Sequence, residues 1–151
     1  MQNNGHATRG RKLFSEASGA GCIRCHRVNG EGGALGPDLS AIGGKYNREQ
    51  LIEAILYPSK QILIGYHQTL VTTTDGDTIS GLIQREDEAT LTLLDASGQP
   101  HAIKKSQITQ RKLSAVSPMP DGLWAGWSRR DFADVIAFLE GLKAAPQARV
   151  Q

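Results

Sequence analysis

Two thiols and an imidazole stand within five residues of one another, in Cys22-Ile23-Arg24-Cys25-His26. These are the chain's only two cysteines, so any fold must first account for this cluster. The spacing is CxxCH, the pattern of c-type haem attachment, in which both sulfurs bond to the porphyrin edge and the histidine is held beneath the iron. Two intervening residues let both sulfurs reach neighbouring vinyl groups of one macrocycle while the next residue turns under the ring. Three structural alternatives compete with this reading, one of them a chance occurrence on an ordinary loop, which would need both cysteines and the histidine to coincide. A thioredoxin-type disulfide normally sits in a βαβ pattern, and none surrounds this motif. A structural zinc site uses four protein ligands, so it would need a further donor from His6, His67, His101 or an acid. Haem attachment is the expectation carried forward.

At 151 residues the chain suits one domain, or one domain with a sizeable insertion. Hydrophobic content of 39% and charged content of 21% are ordinary for a globular protein. No apolar run approaches the roughly 20 residues that span a bilayer, so no membrane helix is expected. Met1-Gln2-Asn3-Asn4-Gly5 is polar and does not read as a leader. Covalent haem attachment is generally extracytoplasmic in bacteria. A periplasmic or other extracytoplasmic setting is therefore expected, with a leader outside this sequence or a longer parent protein. Lys and Arg exceed Asp and Glu by 17 to 15, and a net charge of +2 does not by itself argue for a nucleic-acid partner. The distribution says more: Arg9, Arg11, Lys12, Arg24 and Arg27 crowd the attachment region against Glu16 alone. They read either as a solvated face or as a docking surface for an acidic redox partner, whose association would weaken with salt.

Residues 7–17 carry a first helical pattern, with Leu13 and Phe14 apolar and Gly10 one turn before Phe14 on the same face. Glycine inside a helix costs about 1 kcal/mol relative to alanine, so Gly10 points to close approach by another helix. Ser18-Gly19-Ala20-Gly21 ends that pattern. After the CxxCH comes a glycine-dense stretch from Val28 to Gly36, with no preceding strand and no GxGxxG spacing, which is a poor phosphate-binding loop. Residues 48–57 form a second helix, with Leu51, Ile52, Ile55 and Leu56 as its stripe and Pro58 as its stop. From about Ile62 to Leu113 the texture becomes β. Thr69–Thr73 meets Thr78–Ile83 across Asp75-Gly76, Thr90–Leu94 follows, and weaker strands lie near 101–104 and 108–112. Such a set is similar to the Sm-like or SH3-like pattern of a small curled sheet or barrel. Its five basic residues against six acids, with Tyr66 as its one aromatic, argue against nucleic-acid binding. A last helix follows Ser128, an N-cap with Asp131 three residues on, and runs to about Lys143 with Phe132, Val135, Ile136, Leu139 and Leu142 on its apolar face.

Gly36-Pro37-Asp38-Leu39, placed after a CxxCH, resembles the corresponding stretch of class I cytochromes c. That resemblance implies that the Pro37 carbonyl accepts the Nδ1 proton of His26, and that Leu39 packs on the ring. Tyr46 would either reach a propionate or pack in the core. The last helix would cross the first, with Phe138 or Phe132 meeting Gly10 and Phe14. Met119, between Pro118 and Pro120, stands where that family places its distal thioether ligand; His67 and His101 are the rivals. From His26 to Met119 is 119 minus 26, or 93 positions, long for a compact cytochrome. Removing the 52 residues of 62–113 leaves 41, which is ordinary. Taken together, CxxCH, GPDL, the stretch Tyr46 to Ser59, the β segment and Ser117 to Leu123 resemble haem-binding domains at the ends of large predicted secreted dehydrogenase-like proteins.

The resemblance implies a mainly α fold: a class I cytochrome c domain of residues 1–61 and 114–151, with an inserted β module at 62–113. It implies a monohaem electron-transfer protein rather than an enzyme. One covalently bound haem c would be held by Cys22 and Cys25, with His26 and Met119 on the iron. Its partner would be a redox protein or a dehydrogenase domain. A haem sensor or gas binder with an open sixth position, and a peroxidase-like enzyme with a distal acid or base, are the alternatives.

Overall fold

The computed structural model describes residues 5–16 and 19–143. The expected extension of the first helix to residue 17, the turn residue Ser18 and the end of the domain at 144–151 lie outside the described residues. The chain divides into two compact units, Met1–Tyr57 with Asp121–Gln151, and Pro58–Pro120.

The first unit is built on helices. They are α1 (Ala7–Ser15), α2 (Cys22–Cys25), α3 (Ile42–Lys45), α4 (Arg48–Leu56) and α5 (Arg129–Glu140). Helices α4 and α5 start where the sequence supplies a cap, whereas His6 before α1 makes no side-chain cap bond. Asn47 accepts from the Gln50 backbone N–H while the Gln50 side chain accepts from the Asn47 N–H, and Ser128 and Asp131 form the same reciprocal box. Helix α5 is the centre of the unit. Val135 and Ile136 are 1% and 0% exposed, and with Leu139, Leu142, Phe14 and Leu51 they make one core. Phe138 is the aromatic that meets Phe14, with ring centroids 5.4 Å apart, whereas Phe132 packs edge-on against Trp127.

Helix α1 lies on α5 backbone to backbone. A Cβ on Gly10 would overlap the Asp134 carbonyl, and one on Gly5 would overlap that of Ala133. Gly43 of α3 is equally close to the Glu140 carbonyl, and its N–H donates to the Leu142 carbonyl at 2.7 Å. One acid is buried in this contact. The Asp134 carboxylate, with a side chain 1% exposed, accepts from the His6 N–H at 2.6 Å, from Arg9 Nε at 2.6 Å and from Arg9 Nη2 at 3.0 Å. A carboxylate removed from water stays charged only with such partners. The two Arg9 bonds hold the Asp134 carboxyl below its usual range, with the His6 N–H helping and burial opposing.

The second unit is a five-stranded antiparallel sheet. Its strands are β3 (Thr69–Thr73), β4 (Thr78–Glu86), β5 (Thr90–Leu94), β6 (Pro100–Lys104) and β7 (Ile108–Leu113), in the order β6-β5-β4-β3-β7. Strands β1 (Arg27–Val28) and β2 (Glu31–Gly32) form a separate two-stranded ribbon in the first unit. Alternation puts Val71, Leu91, Leu93 and Ile103 on one face as the sheet's own core, with Ile79 and Ile108 packed beside them. The β4 pairing shifts register between Ile83 and Arg85, where the long strand passes from one half of the sheet to the other. Glu86 at its far end takes a two-point contact from Arg111 of β7, at 2.8 and 3.1 Å, and the Lys105 ammonium at 2.9 Å. Strands β4 and β7 are not neighbours in the order, so this contact requires a strongly curled sheet.

These elements overturn the mainly α expectation. Of the described residues 30% are helix and 25% strand, with a five-stranded sheet that carries a core of its own. Glycine and proline between residues 19 and 44 leave only four-residue helical turns at Cys22–Cys25 and Ile42–Lys45, so helix does not dominate.

Two outcomes follow from the α1–α5 contact. Gly10→Ala gains about 1 kcal/mol of helix propensity but must push α5 away, an overpacking cost of about 1–3 kcal/mol; thermal unfolding should therefore show a lower Tm. Asp134 has a folded pKa below its unfolded value, so its contribution is complete above about pH 4 and is lost as pH falls through the lower folded value. Acid titration of stability should accordingly show a shallower decline below pH 4 in Asp134→Asn than in wild type, from a lower starting stability at neutral pH.

Candidate haem site

The CxxCH residues form a single turn. Gly21 enters it with a φ of +63°, the left-handed region that glycine adopts without penalty, and the Cys22 carbonyl then accepts the His26 N–H at 2.9 Å. This one turn puts Cys22 and Cys25 three positions apart on a helical backbone, both as half-buried free thiols. Burial pushes the Cys22 thiol pKa up, as expected of a thiol sheltered in an apolar surround. Cys22 and Ile23 both pack against the helical core, so the motif is seated on α5's hydrophobic cluster rather than on a free loop.

The glycine-dense segment after the motif folds back over it. Asn29 and Gly30 both have positive φ, +50° and +87°, and make the two-residue turn of the β1–β2 ribbon. The ribbon delivers Gly33, whose N–H donates to the Ile23 carbonyl at 2.9 Å, and then Gly36, whose N–H donates to the Cys25 carbonyl at 2.8 Å. A Cβ on Gly32 would overlap the His26 carbonyl, and one on Gly33 that of Arg24. Only glycine allows so close a strap. Sequence reasoning read this segment as a loop; the Asn-Gly pair was the available signal for the ribbon, whereas nothing local marks Gly33 and Gly36 as backbone donors.

His26 Nδ1 lies 2.8 Å from the Pro37 carbonyl oxygen. A carbonyl only accepts, so the proton is on Nδ1 and Nε2 keeps its lone pair. No second partner for the ring occurs among the described residues. Burial holds the His26 pKa below its usual value, against the carbonyl that favours the charged ring, so the imidazole is neutral near pH 7. A neutral imidazole with a fixed tautomer and a free Nε2 is the donor a haem iron requires. Two thiols on the same turn supply the anchoring chemistry, and together these groups fit covalently attached haem. They do not fit zinc, since no group of three or more His, Cys, Asp or Glu is placed to hold a metal ion among the described residues.

The remaining candidates are placed as follows. Leu39 donates its N–H to the Arg27 carbonyl at 2.8 Å and packs against the helical core, as does Tyr46 at the end of α3. Met119 is half-buried in the second unit, and its N–H donates to Ser117 Oγ at 3.1 Å. Cys22, Cys25, His26, Pro37, Leu39 and Tyr46 therefore share one unit, and Met119 belongs to the other. His101 is tied to Asp95 at 2.7 Å between Nε2 and Oδ2, His67 Nδ1 lies 3.3 Å from the Ser114 carbonyl, and the His6 backbone serves Asp134.

Residues 7–73 match the family model described as Cytochrome c. That span is less than half of the chain; it contains the attachment turn and its strap but neither Met119 nor α5. A solved structure of the pleiotropic translational regulator Hfq is also similar, at 19% identity and a TM-score of 0.28, over 42% of this chain and 93% of that one, and a likeness of that degree carries no argument. No match was found among the curated proteins. The matched segment is similar to a c-type cytochrome domain, and the cofactor that goes with such a domain is covalently bound haem c with its iron. No described helix is long and apolar enough to cross a membrane.

Proposed function

We propose that the chain is a monohaem c-type cytochrome that passes single electrons, with His26 and Met119 as the axial ligands and Cys22 and Cys25 as the thioether anchors. The observation that carries this reading is the Nδ1–Pro37 bond, because it keeps the ring proton on Nδ1 and leaves the unprotonated Nε2 lone pair of His26 as the donor. Bound haem supplies the one-electron couple. The protein residues hold the donor, exclude a proton from it by burial, and anchor the group covalently so that it stays in place through each cycle. No acid or base is needed.

Met119 is supported as the opposite ligand on three grounds: it is the only methionine besides Met1, its thioether is a soft donor suited to haem iron, and histidine/methionine ligation raises the potential of a cytochrome. The rival His101 has its Nε2 engaged by Asp95.

The partner is proposed to be a redox protein or a dehydrogenase domain with an acidic docking face. Arg11, Lys12, Arg24 and Arg27 are exposed around the attachment turn. Arg9, which the sequence placed in the same patch, is instead spent on Asp134. Because covalent haem attachment takes place outside the cytoplasm, an extracytoplasmic location goes with this reading.

Visible spectroscopy of the oxidised, haem-loaded protein tests the ligand set. Wild type should show the weak long-wavelength sulfur-to-iron band, and Met119→Ala should lose it while keeping covalent haem. A wild-type spectrum without that band removes Met119 from the iron.

A further inference from the structure

The glycine strap over the attachment turn touches it in two ways. Gly32 and Gly33 press on backbone, since the atoms nearest to an added Cβ are the carbonyls of His26 and Arg24. Gly36 presses on a side chain. A Cβ there would stand 2.6 Å from His26 Cε1, 2.8 Å from Nδ1 and 3.1 Å from Nε2, so its nearest neighbours all belong to the imidazole. Gly36 has little freedom to retreat: its N–H is bonded to the Cys25 carbonyl at 2.8 Å, and the next residue's carbonyl holds His26 Nδ1 at 2.8 Å.

The ring hangs from its Cβ–Cγ bond, and the hydrogen bond to Pro37 restricts rotation about that bond only within the angular tolerance of a hydrogen bond. Close approach of Gly36 along the Nδ1–Cε1–Nε2 side narrows that latitude by blocking rotation toward the strap. We infer that Gly36 is a positioning residue that sets the rotation of the His26 imidazole, and through it the orientation of the axial ligand; the inference rests on the haem reading above. Any side chain at position 36 would occupy the space of the ring edge, so the ring would have to turn or the strap would have to lift. The orientation of an axial imidazole governs how far the d orbitals of a low-spin iron are split. Ring rotation is therefore readable by spectroscopy, separately from stability.

The test compares haem-loaded Gly36→Ala and Gly33→Ala with wild type, by electron paramagnetic resonance of the ferric iron and by the spread of the haem methyl proton shifts. Gly33→Ala is the control, because its Cβ would collide with backbone at least as severely and its three nearest atoms all belong to the backbone of Arg24 and Cys25. The expected result is an altered g-anisotropy and an altered methyl-shift pattern in Gly36→Ala. Gly33→Ala, with a lowered Tm, should keep the wild-type pattern. Failure of Gly36→Ala alone to load haem would also support the assignment, since the ligand's seat would then be lost. Wild-type signals in Gly36→Ala, or the same spectral change or the same loss of loading in both variants, would overturn it. If Gly33→Ala alone fails to load, the Gly36→Ala signals against wild type decide the matter. Absence of covalent haem in wild type would instead sink the haem reading itself, and absence of low-spin iron would sink its two-ligand iron.

Discussion

The helical unit rests on the approach of α1 and α3 to the bare backbone of α5. Packing at this separation is open only to glycine, and Gly5, Gly10 and Gly43 supply it at Ala133, Asp134 and Glu140 in turn. Close approach strengthens dispersion along the whole contact, but it would also bury the charge of Asp134 without water. Arg9 and the His6 N–H resolve that conflict by satisfying the carboxylate from α1's first turn and its approach. Arg48 and Glu140 add a second tie at 2.6 Å between α4 and α5, half-exposed and correspondingly weaker.

The attachment turn inherits its position from this framework. Cys22, Ile23, Val28 and Leu39 all pack on the cluster that α5 organises, so the motif and its strap are held at several points. Fine placement of His26 is then a backbone matter. Carbonyls of Ile23 and Cys25 are held by glycine N–H groups, and the imidazole by a proline carbonyl. Backbone groups vary less in position than long side chains and carry no rotamer entropy, which suits a ligand that must keep one tautomer and one orientation.

The sheet is organised on separate terms. Its apolar face closes on Val71, Leu91, Leu93 and Ile103, and its curl is tied by Glu86, which its partners Arg111 and Lys105 bring down to a pKa of about 2. That a second core exists at all is why a reading of the chain as mainly helical failed. Helical periodicity at α1, α4 and α5 was legible and correctly placed. The strands were legible too, within a few residues, because alternation and the Asp-Gly turn are local signals. What misled was the weight given to each, since the resemblance to class I cytochromes c treats the sheet as an insertion into a helical fold.

By itself the sequence determined the chemistry at the attachment turn, because two thiols and an imidazole at CxxCH spacing are fixed by covalent order within one helical turn. It also determined the caps at Asn47 and Ser128 and the apolar face of α5, each of which is an i to i+3 or i+4 relation. Tertiary structure alone decided that Phe138 rather than Phe132 meets Phe14. It alone decided that Arg9, still exposed, pairs with a buried acid 125 positions away, and that Gly36 lies against the His26 ring. These outcomes depend on the distance between backbones distant in sequence, and no local pattern of side chains encodes that distance.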